Sequence, residues 1–274
     1  MNRRHFLALL AALSAYGAEE RNIPMRQSAL FISHGSPMNS IEDNPYTRSL
    51  KQLGSTLSKP KAILVLSAHW ATNGSVVSVV DKPETIHDFF GFPDELYTIN
   101  YDAEGEIAAA LLLSELAHTK IDRRHGFDHG VWSVLVHLFP KHDVPVFQLS
   151  IDMSKPGEWH YALGKTLSIL RDQGIMIIGS GNVTHNLGDI DWNTDAPVAL
   201  WAKEFDDAFA SALTNDRQAL IDFDLPHFKH AHPSIEHYLP ILPILGSQNE
   251  DETLSTIYEG FQHGTLSMRC FQIG

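Results

Sequence analysis

Short runs of apolar residues recur along this chain, and glycine, serine or proline bounds each of them. The four clearest runs cover residues 29–32, 62–66, 144–151 and 175–178. Such runs without polar alternation are typical of strands buried on both faces of a sheet. Segments with helical spacing of apolar positions cover residues 46–57, 104–117, 156–172 and 196–213. Strands that alternate with helices predict an α/β fold, with a central, mostly parallel or mixed sheet flanked by helices.

Two more apolar segments near the C-terminus, residues 253–258 and 266–273, are expected to close the sheet as strands. The sequence contains no internal repeat, no low-complexity tract and no linker-like stretch. Its 274 residues suit one large domain. We therefore expect a single domain over residues 28–274.

Composition changes this picture in three ways. The formal net charge is −13 and no large Lys/Arg cluster occurs, so nucleic acid and anionic membrane surfaces are not expected as partners. The chain has 16 histidines, and histidine is the commonest metal ligand. The single cysteine, Cys270, cannot form an internal disulfide. Because it lies in an apolar run, we expect a buried thiol without a catalytic role.

The first twenty residues resemble an export signal. Arg3 and Arg4 precede an alanine-rich apolar stretch at residues 7–18, and the order Arg-Arg-x-Phe-Leu is similar to the twin-arginine type. The stretch is too short for a membrane-spanning helix, which needs about 20 residues. We expect residues 1–20 to be a signal peptide and the mature protein to be periplasmic, outside the membrane. The alternative is an amphipathic N-terminal helix on a cytoplasmic enzyme.

Three histidines come directly after predicted strands. His34 follows the first strand, His69 the second and His185 the fourth. In open α/β sheets, ligands bind in the crevice beyond the carboxyl ends of the strands. The pattern therefore predicts a metal site at the C-terminal ends of the strands.

Each of the first two histidines also has a simpler interpretation. His34, in Ser-His-Gly-Ser-Pro, is equally compatible with a turn histidine on the surface. His69, in Ser-Ala-His-Trp, is compatible with a core histidine bonded to the backbone; if it binds a metal instead, Trp70 is expected to form a wall of the site. Taken together, the two positions favour metal binding.

His237 is a further candidate near the C-terminus. Ser234 is a good N-cap residue, so the pattern predicts a helix that starts there and carries His237 in its first turn. Glu236 would then point about 100° away, so both residues should not bind the same ion. We interpret His230 and His232 as exposed loop residues.

His129 stands in Gly-Phe-Asp-His-Gly, just before an apolar helical stretch. A glycine-flanked Asp-His pair suits a general acid/base or a hydrogen bond to substrate, whereas the simpler interpretation is a helix cap at Asp128 beside an incidental histidine. His125 and His129 have the spacing of a zinc-protease pair, but Gly126 replaces its glutamate. The sequence also lacks a P-loop, a dinucleotide-binding glycine motif and a nucleophile elbow. Three or four neutral imidazoles suit Zn(II) or Fe(II).

Several separated blocks resemble the class III extradiol ring-cleaving dioxygenases, and most closely the 4,5-DOPA dioxygenase branch. The blocks are His34-Gly-Ser-Pro-Met, Ser67-Ala-His-Trp, Thr85-Ile-His-Asp-Phe-Phe-Gly-Phe-Pro, Gly126-Phe-Asp-His-Gly-Val-Trp, Gln148-Leu-Ser-Ile-Asp, Gly179-Ser-Gly-Asn-Val-Thr-His-Asn and Glu236-His-Tyr-Leu-Pro. They run in the family's order from about residue 28 to the C-terminus, so the resemblance is more specific than any single motif.

The resemblance implies a metal bound by His34, His69 and His237. It also implies that His185 is either a fourth ligand or the acid/base beside the metal. His129 then matches a catalytic residue of the second sphere, close to the substrate.

Two further positions follow from the resemblance. His87, in the Ile-His-Asp segment, is expected to line the pocket. Relatives outside this branch use two histidines and a glutamate, so Glu236 stays an alternative to His237 as ligand.

The implied activity is the opening of a catechol ring, such as that of L-DOPA, with O2 to give a muconic semialdehyde. We expect one divalent ion per chain, Zn(II) in the isolated protein or Fe(II) for turnover. A catechol and O2 are then the partners, and a homo-oligomer stays open. The alternatives are a zinc-dependent hydrolase and a non-enzymatic metal-binding relative.

Overall fold

The structure, a computed structural model, describes residues 25–274. Its strands are β1 Ala29–Ser33, β2 Ala62–Ser67, β3 Ala71–Thr72, β4 Val76–Ser78, β5 Lys120–Asp122, β6 Val146–Gln148, β7 Ile151–Asp152, β8 Ile175–Gly181, β9 Leu254–Tyr258, β10 Phe261–Gln262, β11 Leu266–Ser267 and β12 Cys270–Ile273. Its α-helices are α1 Pro45–Thr56, α2 Ile107–Ala117, α3 His129–Leu138, α4 Gly157–Asp172, α5 Leu200–Asn215, α6 Arg217–Ile221, α7 Phe228–Ala231 and α8 Ile241–Gly246. Short 3₁₀ helices cover Pro37–Ser40 and Asp94–Thr98. The signal peptide predicted for residues 1–20 lies outside the described residues.

Six strands form the main sheet in the order β6-β2-β8-β1-β12-β9. The first four run parallel, and β12 and β9 add an antiparallel pair at one edge. Ser67 at the end of β2 pairs with Ser180 in β8, and Ser33 at the end of β1 pairs with Gly181. The three central parallel strands therefore end side by side, and the residues that follow them start at one edge. This arrangement confirms the predicted single-domain α/β fold with a mixed sheet.

The central strands are buried on both faces, and every residue of β1, β2 and β8 is buried. In β1, Ala29 and Phe31 belong to one apolar core, whereas Leu30 and Ile32 belong to the other. Helices α2, α4, α5 and α8 contribute to the first core, and α1 and α3 to the second. Burial on both faces is the reason that these strands lack polar alternation.

Two of the predicted strands are divided in the structure. The run at residues 144–151 splits into β6, which pairs with β2, and the start of β7, which pairs with β3 in a separate small sheet. The run at residues 266–273 splits into β11, which pairs with β10, and β12, which pairs with β1 and β9. An apolar pattern records burial but does not record a change of partner.

Helices α2 and α5 begin later than predicted because the residues before them bond elsewhere. The carbonyl of Glu104 accepts from Val146 N–H at 2.8 Å, so it is held beside β6. Glu106 then caps α2 by accepting from Ala108 N–H at 3.1 Å. Before α5, Ala199 N–H donates to the carbonyl of Gly264 at 2.9 Å.

The structure also bears on the single cysteine and on membrane-spanning helices. Cys270 is fully buried, which confirms the predicted buried thiol, and burial raises its pKa to about 12. Among residues 25–274, no helix combines the length and apolarity needed to cross a membrane.

Candidate metal centre

His34 is the first residue after β1. Its N–H donates to the carbonyl of Gly181 at 2.9 Å, and Gly35 turns the chain with a left-handed φ of +64°. The imidazole is buried, and its Nδ1 lies 2.9 Å from the hydroxyl of Ser180. Because that hydroxyl donates its own proton to the carbonyl of Gly130, it accepts the Nδ1 proton of His34. The Nε2 of His34 is left unprotonated and able to bind a metal.

His69 lies two residues beyond β2. Its N–H donates to Ser67 Oγ at 3.2 Å, and this hydroxyl donates in turn to the Asp128 carboxylate at 2.6 Å. The Nδ1 of His69 lies 3.1 Å from Asp88 Oδ2. Since a carboxylate only accepts, this contact favours the tautomer with the proton on Nδ1 and the lone pair on Nε2. That Nε2 lies 3.1 Å from His34 Nε2.

His237 is held against the end of β8. Its carbonyl accepts from Asn182 N–H at 2.9 Å, and a Cβ on Gly181 would lie 2.1 Å from the same oxygen. The glycine therefore permits this close approach. The Nδ1 of His237 is 3.1 Å from Glu236 Oε1, and its Nε2 is buried without a hydrogen-bond partner.

The predicted helix at Ser234 is wrong. The residues around His237 form bends and turns, and α8 begins only at Ile241. Ser234 does not cap a helix, because its hydroxyl donates to Glu236 Oε1 at 2.9 Å. The bond from Asn182 to the His237 carbonyl also holds this backbone outside a helical pattern.

The structure brings His34, His69 and His237 together, with one nitrogen of each within 4.8 Å of the others. Their ring centroids are separated by 5.0 to 5.3 Å. Burial, followed by repulsion from the neighbouring imidazoles, holds the pKa of His34 and of His237 well below its ordinary value. Neutral imidazoles with free Nε2 lone pairs are a donor set that fits Zn(II) or Fe(II).

Glu236 lies on the other side of His237. Its carboxylate forms a group with His185 and His237, but not with His34 and His69. It also contacts the Nδ1 of His237, opposite to the free Nε2. The geometry therefore places Glu236 behind a candidate ligand.

His129 is the first residue of α3, and its ring centroid lies 3.8 Å from that of His69. Asp128 occupies the N-cap position but makes no side-chain cap bond, since it accepts from Ser67 instead. The backbone N–H of His129 donates to Asp88 Oδ1 at 2.8 Å, and its Nδ1 lies 3.0 Å from the same oxygen. Burial lowers the pKa of His129, although Asp88 opposes this effect.

Asp88 is the residue that the sequence argument missed. Burial opposes its ionisation, but contacts with His129 and His69 outweigh burial and hold its pKa far below the usual range. Asp88 lies in the Ile-His-Asp segment, but the sequence pattern assigned a role only to the neighbouring His87. A carboxylate beside a motif histidine was the only signal available.

His185 lies beside the group formed by His34, His69 and His237 and is not part of it. Its ring stacks on that of His237, with centroids 3.4 Å apart and planes 7° apart. Burial lowers its pKa to about 4. Its N–H donates to the carbonyl of Ala231 at 2.9 Å, which fixes the backbone. The structure therefore separates His185 from the group formed by His34 and His69.

His87 lies in an aromatic cluster next to the site. Its Nε2 is 3.0 Å from the carbonyl of Ile99, and its ring centroid is 5.6 Å from that of Trp132. Phe89 connects the cluster to the site, with ring centroids 6.0 Å from Trp132 and 5.6 Å from His129.

Of the two histidines predicted to be exposed loop residues, only one is exposed. His230 is half exposed and lies 2.5 Å from Asp189, as expected for a loop residue. His232 is buried, and its Nε2 is 2.8 Å from the carbonyl of Val183, so the prediction of an exposed residue is wrong. Trp70 is buried and stacks on His125 at 4.0 Å.

Known proteins are similar to this chain along most of its length. The family described as the catalytic LigB subunit of aromatic ring-opening dioxygenase matches residues 28–268. A protein of Escherichia coli (strain K12) named 4,5-DOPA dioxygenase extradiol is 45% identical over 258 residues, which cover 91% of this chain and 95% of that protein. A protein of the same name from Beta vulgaris is 38% identical over 253 residues, covering 88% of this chain and 94% of that protein.

A solved structure shows the same fold. The crystal structure of an uncharacterized protein from Escherichia coli K12 matches with a TM-score of 0.80 and 42% sequence identity. The match covers 91% of this chain and 100% of that chain.

Proposed function

This chain belongs to the family of catalytic LigB subunits of aromatic ring-opening dioxygenases and is an extradiol ring-cleaving dioxygenase, and we propose that its substrate is a catechol such as L-DOPA. The printed names of the relatives from Escherichia coli and Beta vulgaris support this substrate class. The family is metal-dependent. We assign one divalent ion to His34, His69 and His237, with Fe(II) for turnover and Zn(II) as an alternative occupant.

The facing nitrogens of His34 and His69 carry this assignment. Ser180 accepts the Nδ1 proton of His34, and Asp88 Oδ2 lies 3.1 Å from Nδ1 of His69, which favours a lone pair on both Nε2 atoms. The two Nε2 atoms are 3.1 Å apart, a distance at which two lone pairs repel. A cation bound to both nitrogens removes this repulsion, and the unpartnered Nε2 of His237 provides a third ligand.

A divalent ion held by His34, His69 and His237 would supply Lewis-acid chemistry that lowers the pKa of catechol hydroxyls. His185 is placed to accept a catechol proton, because its ring stacks on that of His237 beside the proposed ligands. His129 faces the same group of rings and is suited to donate a hydrogen bond to substrate or oxygen. These roles account for the two histidines that the metal does not require.

The test is reconstitution of the purified chain with Fe(II) under anaerobic conditions, followed by L-DOPA and air. Oxygen uptake and the yellow absorbance of a semialdehyde should rise together, with one O2 consumed per ring opened. The zinc-loaded chain serves as control and should take up no oxygen. If several catechols give no uptake while bound iron is confirmed, the catechol assignment is wrong, and hydrolysis by the zinc form becomes the next assay.

The ligand assignment has its own test. His34→Ala should lose the metal, whereas His230→Ala should keep it, because His230 lies on the surface beside Asp189. The metal content of the two purified variants tests whether His34 is a ligand. Full occupancy in His34→Ala would remove this residue from the ligand set.

We also propose that the chain is exported to the periplasm through residues 1–20. Arg3 and Arg4 support this proposal, since paired arginines precede a short apolar stretch. The variant with both arginines replaced by lysine should stay in the cytoplasmic fraction of a Gram-negative host. Equal distribution of the two forms between the fractions would contradict export by this route.

A further inference from the structure

We propose that Asp88 is a positioning residue whose single carboxylate holds the metal ligand His69 and the second-sphere residue His129 as one unit. The proposal deepens the proposed function and rests on it for the identity of the metal site. It assigns to Asp88 two effects, on the affinity for the metal and on the orientation of His129.

The first evidence is that the two oxygens of Asp88 have different partners. Oδ2 lies 3.1 Å from His69 Nδ1, and Oδ1 lies 3.0 Å from His129 Nδ1. Oδ1 also accepts from the backbone N–H of His129 at 2.8 Å. One carboxylate thus contacts both imidazoles and the first residue of α3.

The contact with His69 favours one tautomer of that ring. A carboxylate accepts and does not donate, so Asp88 Oδ2 favours the proton of His69 on Nδ1, whereas His129 Nδ1 lies close to Oδ1 without forming a hydrogen bond. The Nε2 of His69 is then free for the metal. Because the ring centroids of His69 and His129 are 3.8 Å apart, a rotation of either ring disturbs the other.

The backbone beneath Asp88 is held by the same region that carries His129. Ile86 N–H donates to the carbonyl of Phe127 at 2.7 Å, and Trp132 in α3 donates its indole N–H to the carbonyl of Ile86 at 2.9 Å. The carboxylate is therefore placed by a fixed segment, and its position is coupled to the start of α3.

The charge of a bound metal gives a second, independent reason to assign a supporting role to Asp88. Three neutral imidazoles leave a divalent ion with its full charge of about +2 in a largely buried site, which is costly without nearby anions. Asp88 lies behind His69 and Glu236 lies behind His237, whereas His34 has only the neutral hydroxyl of Ser180. The two carboxylates supply the compensating charges through the ligands that they contact.

The first test measures the affinity for Zn(II) alone, by competition with a chelator. Asp88→Asn should bind zinc about 10–100-fold more weakly than the wild type, the usual effect of removing a partner behind a ligand. Asp94→Asn is the matched control, because Asp94 is exposed in the following 3₁₀ helix. Asp88→Glu, which keeps a carboxylate, should recover part of the affinity. Wild-type zinc affinity in Asp88→Asn would overturn the proposal.

The second test uses a spectroscopic signature that loss of folding stability alone would not move. Substitution with Co(II) should give visible bands that shift in Asp88→Asn and stay unchanged in Asp94→Asn. This readout needs no catechol turnover, so the proposal for Asp88 is tested even if the substrate assignment fails. Identical bands in wild type and Asp88→Asn would contradict a role behind the ligand.

A double-mutant cycle on kcat tests the link to His129. In the iron-loaded enzyme, Asp88→Asn should lower kcat less in a His129→Ala background than in the wild type, because part of its effect acts through His129. Equal losses in both backgrounds would show that Asp88 acts on His69 alone and would overturn the coupling of the two rings.

Discussion

At the scale of single residues, each proposed ligand has a polar partner beside its Nδ1, which leaves its Nε2 for a metal. The pairs are His34 with Ser180, His69 with Asp88, and His237 with Glu236. Such partners choose the tautomer and orient the ring before a metal arrives. Ser180 is the only neutral partner among the three, so its contribution is orientation without charge.

Ser180→Ala should therefore weaken zinc binding, by about 10-fold, because Nδ1 of His34 loses its acceptor and the ring becomes free to rotate. Isothermal titration with zinc measures the change. Ser55→Ala is the control, since Ser55 lies on the exposed face of α1 and its hydroxyl donates to the carbonyl of Gln52 in the same helix. Unchanged affinity in Ser180→Ala would show that packing alone orients His34.

His185→Ala should keep the metal and lose turnover by about 100-fold or more, as expected for loss of a proton acceptor. The reason is its position: the ring stacks on His237 at 3.4 Å but lies outside the group formed by His34, His69 and His237. Metal content and kcat are measured on the same sample. Loss of metal in parallel with activity would instead favour a fourth ligand.

At the scale of elements, the site depends on how the turn around His237 meets the end of β8. Asn182 N–H donates to the His237 carbonyl, and Gly181 leaves the space that this approach requires. The neighbouring ends of β1 and β2 provide His34 and His69 in register. The third candidate ligand thus comes from a loop, and the first two come from strands.

Gly181→Ala should separate this turn from β8. Its Cβ would lie 2.1 Å from a backbone oxygen, which cannot move as a side-chain end can. We expect a loss of about 1–3 kcal/mol in the free energy of unfolding, together with weaker zinc binding. In Gly188→Ala the new Cβ would meet only the side chain of Asn186 at 3.2 Å, so this variant is the control. Chemical denaturation of both variants measures the effect.

At the scale of the whole molecule, a buried arginine joins distant parts of the chain. Arg171 in α4 is fully buried and donates to the carbonyls of Gln27, Ser247 and Ile273. It also pairs with the carboxylate of Glu252. The residue therefore connects the segment before β1 with the last strand of the sheet.

Glu252→Ala should cost about 3–5 kcal/mol of folding free energy, because it leaves the charge of Arg171 buried without its anion. Urea unfolding gives the value. Glu250→Ala, at an exposed position two residues earlier, should change stability little.

The same carboxylate predicts a dependence on pH. Burial opposes ionisation of Glu252, but hydrogen bonds from Arg26 and Arg171 outweigh it and hold its pKa below the ordinary 4.5. A depressed folded-state pKa gives stability that is present above the unfolded value and is lost as pH falls through the folded value. The stability difference between wild type and Glu252→Gln should be constant from about pH 7 to 5 and shrink below about pH 4.5. A difference that grows on acidification would contradict this assignment.

The sequence by itself determined the fold class and the approximate place of the site. Continuous apolar runs predict strands covered on both faces, and His34 and His69 follow two such runs directly. Since parallel strands end at a common edge, their convergence could be expected without coordinates. The assignment of these residues as ligands stays a prediction for metal analysis to check.

Only the tertiary structure decided the contacts made by loops. Asp88 meets His69 and His129 across separations of 19 and 41 positions, and no local pattern encodes such a contact. The turn at His237 replaces the predicted helix because its carbonyl bonds to β8, and His232 is buried for a similar reason, a bond to Val183. Periodicity reports which face of an element is buried, whereas the partners of a polar side chain depend on how the whole chain packs.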